Sequence, residues 1–217
     1  MKEFQNKKES IKNMYIVCSD LEGVFTPEIW INVAEKTGIS ELRLTTRDIS
    51  DYDVLMKKRI KILKENGIKL HHIKDVIAGM EPLEGAIDFL NWLKQTLQVI
   101  LVSDTFVQFA VPMMKKLDWP TLFCNSLSVA PDDTIVGYNM RQTNGKRKTA
   151  IALKSLNYQI IAVGDSYNDI EMLKEGNSGI LFNPPDNVVQ EFPQFPCTYK
   201  YDYLKEMILA ILQKNKI

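Results

Sequence analysis

Apolar positions along the chain recur in two periods. The first is the short continuous run of a strand buried on both faces. Residues 15–19 form one such run, ending in a polar turn. Residues 97–103 (LQVILVS), 159–164 (QIIAVG), 178–182 (SGILF) and, more weakly, 196–201 (PCTYKY) form the others. The second is the 3.6-residue spacing of amphipathic helices. Residues 85–95 bring Ile87, Leu90, Trp92 or Leu93, and Leu97 to one side, and residues 105–117 predict a helix that Pro112 bends or shifts. A helical pattern at 148–156 precedes the third strand. Another at 168–176 follows it, with Gly176 as its C-cap, and Asp202 is placed to cap a last helix over 203–214. Strands alternating with helices predict an α/β fold with a doubly wound parallel sheet.

Residues 27–80 break that rhythm. They read as helix throughout: PEIWINVAEKTG stops at Gly38, DYDVLMKKRIKILKENG stops at Gly67, and LHHIKDVIAGM follows. The expected organisation is an N-terminal extension at 1–13, an α/β core from 14–26 and 81–217, and an inserted all-helical cap at 27–80. Residues 127–140 add a β-hairpin with Pro131, Asp132 and Asp133 at its turn.

Composition narrows the function classes. The 217 residues carry 27 Lys+Arg and 27 Asp+Glu, so no net field draws the chain to nucleic acid or to anionic lipid. No apolar stretch is long enough to span a bilayer, and the polar start MKEFQNKKESIKN lacks a signal-peptide core, so the expected address is the cytoplasm. Cys18, Cys124 and Cys197 lie far apart without C-x-x-C spacing, which disfavours a disulfide framework or a zinc site. Cys18 reads as packing.

The candidate chemistry lies where the apolar runs end. Asp20 and Glu22, with Gly23 behind them, close the first run. Strand alternation points both acids the same way at the carboxyl edge of the sheet, where open α/β folds bind ligands. The second run ends in Ser103, Asp104 and Thr105, the third in Asp165, Ser166, Asn168 and Asp169, and Lys146 stands beside a glycine between them. Singly, an Asp-x-Glu is usually a solvated loop, GDSYND a turn with a helix cap, and a Lys beside Gly a surface residue. The ordered set, each member at a strand end, predicts one site instead. Carboxylates suit Mg²⁺, while Lys146, Ser103 and helix-start amides suit phosphoryl oxygens. The chemistry indicated is phosphoryl transfer through an aspartyl-phosphate. Asp20 attacks phosphorus, and Glu22 protonates the leaving alcohol and then activates the acceptor. Asp20, the Glu22 carbonyl and Asp165 hold the metal, and Asp169 orients Lys146 or a metal-bound water.

The four motifs DLEGV, VSDT, Lys146 and GDSYND resemble those of the haloacid-dehalogenase-like phosphatase superfamily, from about residue 14 to the C-terminus. Glu22 stands where that superfamily usually has a second Asp. With GVFTPEIWINVAEKTGI, TTRDISDYDVLMKKRIKIL and NPPDNVVQEFPQFP, this departure is similar to its bifunctional phosphoserine phosphatase/homoserine phosphotransferase branch. The resemblance implies phosphoserine as substrate, homoserine as a second acceptor and Mg²⁺ as cofactor; a homodimer is left open. It also implies that Arg59 clamps the substrate carboxylate. Tyr52, Leu55, Met56, Arg59 and Leu63 share one helix face, and the plain reading of an arginine in such a stripe is a snorkelling side chain. Glu28 is expected to pair with the substrate ammonium, its ordinary reading being a first-turn acid favoured by the helix dipole. Asn168 is expected on the phosphoryl group or substrate, or else as a cap, and Ser103 and Asp104 are expected to line the same site. His71 and His72 read as surface or helix-start residues, and Tyr52, Trp30 and Trp92 as packing.

Two other readings compete. One is a phosphatase for a different small phosphomonoester such as a sugar phosphate, for which Arg59 is dispensable. The other is a non-enzymatic phospho-accepting domain, against which the length and the helical insert weigh. A dehalogenase needs neither Glu22 nor Asp165.

Overall fold

The computed structural model describes residues 14–45, 48–49 and 51–214; the expected extension at 1–13 lies outside them. Its sheet is built from β1 (Met14–Ser19), β2 (Gln98–Phe106), β3 (Leu122–Val129), β4 (Ile135–Asn139), β5 (Tyr158–Gly164), β6 (Ser178–Phe182) and β7 (Cys197–Thr198), in the order β4-β3-β2-β1-β5-β6-β7. Every pairing is parallel except β3 with β4. The chain winds outward from β1 to one side, then returns to β5 and winds to the other. This reversal opens a crevice at the carboxyl ends of β1, β2 and β5. The expected doubly wound sheet is therefore present.

Period-two alternation explains why the strands read as unbroken apolar runs. Ile16 and Cys18 of β1 pack with Ile160 and Ala162 of β5 against α6 (Gly145–Ser155) and α7 (Ile170–Glu175). Val17, Ile161 and Val163 face the opposite way, toward α4 (Ala86–Thr96), α5 (Val107–Lys116) and α9 (Tyr201–Lys214). Covering both faces removes any need for polar alternation. Cys18 is buried there, as its sequence context predicts, and burial pushes its thiol up to about 12. A short α8 (Asp186–Glu191) precedes β7.

From 27 to 80 the described residues form only helix, turn and loop: α1 (Ile29–Thr37), a 3-10 turn at Ser40–Arg43, α2 (Tyr52–Glu65) and α3 (Leu70–Ala78). Gly38 ends α1 at φ 71, a left-handed position that glycine occupies without a Cβ penalty. Asp51 caps α2, its carboxylate accepting from the backbone N–H of Asp53 (2.9 Å) and Val54 (3.2 Å). Ile29, Val33, Met56, Leu63, Ile73 and Ile77 belong to the same buried cluster as Val17 and Phe106, so these helices share the core of the sheet. The β3–β4 turn is tied to the start of α3: the backbone N–H of Leu70 donates to the Asp133 carbonyl (3.0 Å), and Lys69 Nζ to the Asp132 carbonyl (2.7 Å). His71 and His72 lie in this helix start, both exposed.

Four boundaries differ from the sequence reading. The helix expected from 105 begins at Val107, because β2 continues through Thr105 and Phe106 past a register shift against β3. A polar Ser-Asp-Thr reads as a turn, yet here it remains extended. The first arm of the hairpin begins at Leu122 and pairs with β2, so it is a full member of the sheet. The helix expected over 148–156 starts at Gly145, which puts Lys146 in its first turn. The last helix starts at Tyr201, with Asp202 inside its first turn and not capping it.

Candidate active site

The backbone N–H of Asp20 donates to the Val163 carbonyl at 2.9 Å, so pairing with β5 continues one residue past β1 and fixes Asp20 at the sheet edge. Its carboxylate is gripped from two sides. Oδ1 accepts from the Leu21 N–H (2.7 Å) and Oδ2 from Lys146 Nζ (2.7 Å). Lys146 Nζ also donates to Asp169 Oδ1 at 2.7 Å and lies 4.0 Å from Asp104 Oδ2. Asp169 is fully buried, and its other oxygen accepts from the N–H groups of Asp165 (3.0 Å) and Ser166 (3.2 Å). Three strand ends and the first turn of α6 thus meet at one ammonium.

Two glycines make this crowding sterically possible. A Cβ on Gly23 (φ +79) would stand 2.4 Å from the Asp165 carboxyl carbon, and one on Gly164 would stand 2.4 Å from the Asp169 side chain. The glycine behind the first acid pair therefore makes room for an acid from β5.

Burial works against the charge on Lys146, but Asp169, Asp20 and Asp104 outweigh it and hold the ammonium well above the usual lysine range. Burial, then Asp169, pushes the Asp20 carboxyl well above the carboxylate range, and burial and Asp169 push Asp165 up to about 7. One oxygen each from Asp20, Asp165 and Asp169 can be drawn within 4.8 Å of one another. The donor chemistry of these three clustered acids, all oxygen, fits a hard divalent ion. Glu22 turns its side chain elsewhere. Its Oε2 accepts from the Ile29 N–H at 2.8 Å, and it is not among the three clustered acids. Burial, then the neighbouring Glu28, pushes the Glu22 carboxyl up to about 8.

Opposite the sheet, α1 and α2 close a cavity of about 310 Å³ that Asp20, Glu22, Glu28, Arg59, Ser103, Asp104, Lys146 and Asn168 all line. Arg59 is not a snorkelling side chain. It is 6% exposed, stacks 4.4 Å over the Trp30 ring, and donates through Nη2 to the Leu44 carbonyl at 2.6 Å. Its Nε is buried with no hydrogen-bond partner among the described residues. Burial pulls its guanidinium down to about 10, still charged at neutral pH. Glu28 is exposed at the start of α1. Ser103 Oγ accepts from the Thr105 N–H at 3.2 Å. Asn168 accepts from Ser166 Oγ (2.8 Å) and donates to Asp104 Oδ2 (3.2 Å). Of the ten sequence-selected residues these eight line the cavity; Asp165 and Asp169 are not among its lining residues, and Asp169 reaches the site through Lys146.

Two aromatic residues of the cavity were read differently from the sequence. Trp30 and Tyr52 were expected to serve only as packing, yet both line the cavity, and Tyr52 donates from its hydroxyl to the Asp104 carbonyl at 3.2 Å. The available signal was their position: Trp30 follows the first acid pair closely, and Tyr52 sits two turns before Arg59 on its face.

Comparison with known proteins adds to this geometry. Residues 16–177 match the family described as haloacid dehalogenase-like hydrolase. The chain is 55% identical over 202 residues to "Phosphoserine phosphatase ThrH" of Pseudomonas aeruginosa, covering 93% of this chain and 98% of that one. It is 56% identical over 202 residues to "Phosphoserine phosphatase" of Pseudomonas syringae pv. tomato, covering 93% and 85%. Among solved structures, an apo phosphoserine phosphatase superposes with a TM-score of 0.73 at 23% identity, covering 90% of this chain and 98% of that one. A phospho-aspartyl intermediate analogue of phosphoserine phosphatase matches equally well, with a TM-score of 0.73, at 22% identity and 92% and 99% coverage. At that identity the two structures support the fold.

Proposed function

The chain belongs to the haloacid dehalogenase-like hydrolases, and on that premise we propose that it is an Mg²⁺-dependent phosphoserine phosphatase that works through an aspartyl-phosphate and can also pass the phosphoryl group to homoserine. The observation that carries the reading is Lys146 locked between Asp20 and Asp169 at 2.7 Å, with the Glu22 carboxyl lining the same cavity.

In the first half-reaction an Asp20 carboxylate oxygen attacks phosphorus, and the bond from phosphorus to the serine oxygen breaks. Glu22 gives its proton to that oxygen, and serine leaves. In the second half, water or homoserine attacks phosphorus, Glu22 takes the attacking hydroxyl proton, and the bond to Asp20 breaks. Lys146 balances charge on the transferring group throughout, and Asp169 holds Lys146 in place. Mg²⁺, held by Asp20, Asp165 and the Glu22 carbonyl, supplies the counter-charge that lets an anionic nucleophile meet an anionic substrate.

The helical segment 27–80 acts as the cap. The substrate carboxylate docks on Arg59, whose unpartnered Nε is a ready donor, and the ammonium docks on Glu28. A sugar phosphate would leave that buried donor unmet, so the geometry favours a carboxylate-bearing substrate. The test is phosphate release from phosphoserine with Mg²⁺, with chelator, and with added homoserine. Release that needs Mg²⁺, with phosphohomoserine as a new product, is the expected result. Release from sugar phosphates but not from phosphoserine would overturn it.

A further inference from the structure

Asp104 is out of keeping with a phosphoryl pocket. Its carboxylate lies 4.0 Å from Lys146 Nζ, the group that also grips Asp20, so a phosphoryl group on Asp20 would sit beside a second negative charge. Yet Asp104 is held with care. Its backbone carbonyl accepts from Tyr52 Oη of α2 (3.2 Å) and from Asn125 Nδ2 of β3 (3.1 Å). Its Oδ2 accepts from Asn168 Nδ2 (3.2 Å). Its Oδ1 accepts no hydrogen bond among the described residues, and the side chain is 37% exposed in a cavity it helps to line. Lys146 lies 4.0 Å from its Oδ2, so Oδ1 is the oxygen left to receive a further charged donor that enters the cavity.

We infer that Asp104 selects the acceptor in the second half-reaction by receiving the ammonium group of an amino alcohol. This rests on the phosphoenzyme reading above. An acceptor such as homoserine is one methylene longer than serine. With its carboxylate on Arg59 and its hydroxyl at the phosphoryl group, both ends are fixed, so the extra length must bow and carry the ammonium toward a different wall. Glu28 stands at the start of α1 beside Glu22, whereas Asp104 stands on β2 beneath Tyr52 of α2. Two acids on different elements therefore serve two chain lengths. In the transfer step the acceptor hydroxyl oxygen bonds to phosphorus, the bond to Asp20 breaks, Glu22 takes the hydroxyl proton, and Asp104 forms no covalent bond.

The experiment measures the partition of one phosphoenzyme. Purified enzyme with Mg²⁺ and labelled phosphoserine is given homoserine or 4-hydroxybutyrate, which lacks the ammonium. The ratio of transferred to hydrolysed phosphate is read by chromatography. The native enzyme is expected to favour homoserine. Asp104→Asn should lower that ratio about tenfold and erase the preference over 4-hydroxybutyrate, as loss of one charge-assisted hydrogen bond predicts. Asp104→Glu should recover part of it. Glu28→Gln should instead act on kcat/KM for phosphoserine, with little effect on the ratio. Circular dichroism of each variant confirms folding. If the native enzyme shows the preference and Asp104→Asn retains it, the inference is overturned while the phosphoenzyme reading stands. If acid quenching traps no phosphoprotein from the native enzyme, both fall.

Discussion

On the sheet side of the cavity, Lys146 is 3% exposed and donates to two carboxylates at 2.7 Å, each anchored by backbone N–H groups. On the helical side, Arg59 is nearly as buried, yet its firmest bond is to one carbonyl, with a stacked indole beside it and a bare Nε. The sheet side has assembled its anions from the protein itself, whereas the helical side lacks one. The comparison teaches where the work divides. The strand ends build a closed charge network, which the proposed function gives to the phosphoryl group, while the helices present a guanidinium, which it gives to the substrate carboxylate. On that proposal, reaction type belongs to the first region and specificity to the second.

The largest expected effect strikes the sheet side. Asp20→Asn should remove turnover of every phosphomonoester, measured as phosphate release, since no carboxylate is left to take the phosphoryl group. Lys146→Met should also abolish turnover. In addition it leaves Asp20 and Asp169 buried without their cation, which should lower stability by about 3 kcal/mol in chemical denaturation.

Glu22→Gln comes next, with a loss on the order of 10²–10⁴ in kcat. The native kcat/KM should fall as pH rises through about 8, because Glu22 must arrive protonated, and the residual rate of the variant should lose that limb. The same group bears on stability. Its folded pKa is raised from 4.5, so its contribution is complete below 4.5 and is lost as pH rises through about 8; the variant should flatten that slope.

The helical side should answer differently. Arg59→Lys should raise KM for phosphoserine by roughly 10-fold or more while changing p-nitrophenyl phosphate turnover far less, because only the former carries a carboxylate to clamp. Equal losses on both substrates would erase the division of labour. Tyr52→Phe is the mildest. Losing one hydrogen bond to the Asp104 carbonyl should slow phosphoserine turnover by about 5-fold, with p-nitrophenyl phosphate as control.

Much of the sheet side was legible in the sequence because its signals are discrete. An apolar run that ends in an acid and is followed by a glycine marks both the strand and the edge. Three runs that end in acids, with one lysine, specify a convergence. What pattern alone left out was steric: that Gly23 and Gly164 are vacancies for Asp165 and Asp169 emerges only when the strands lie side by side. The extent of β2 was hidden because Ser103, Asp104 and Thr105 carry turn chemistry while the backbone stays extended past a register shift. The helical side was harder to read. Trp30 and Tyr52 occupy apolar-face positions, and an aromatic there gives the same signal whether it meets a neighbouring helix or a cavity. Arg59 was legible as an anomaly in its stripe, but the lack of a partner at its Nε is a fact of three-dimensional packing.

The central claim is that Asp20 itself carries the phosphoryl group. Acid quenching of the enzyme during turnover of phosphoserine with Mg²⁺, followed by mass spectrometry of its peptides, tests it most directly. The account predicts one phosphoryl group on the peptide containing Asp20, lost when homoserine is added and absent from Asp20→Asn. A phosphoryl group found on another residue, or undiminished turnover by Asp20→Asn, would contradict it.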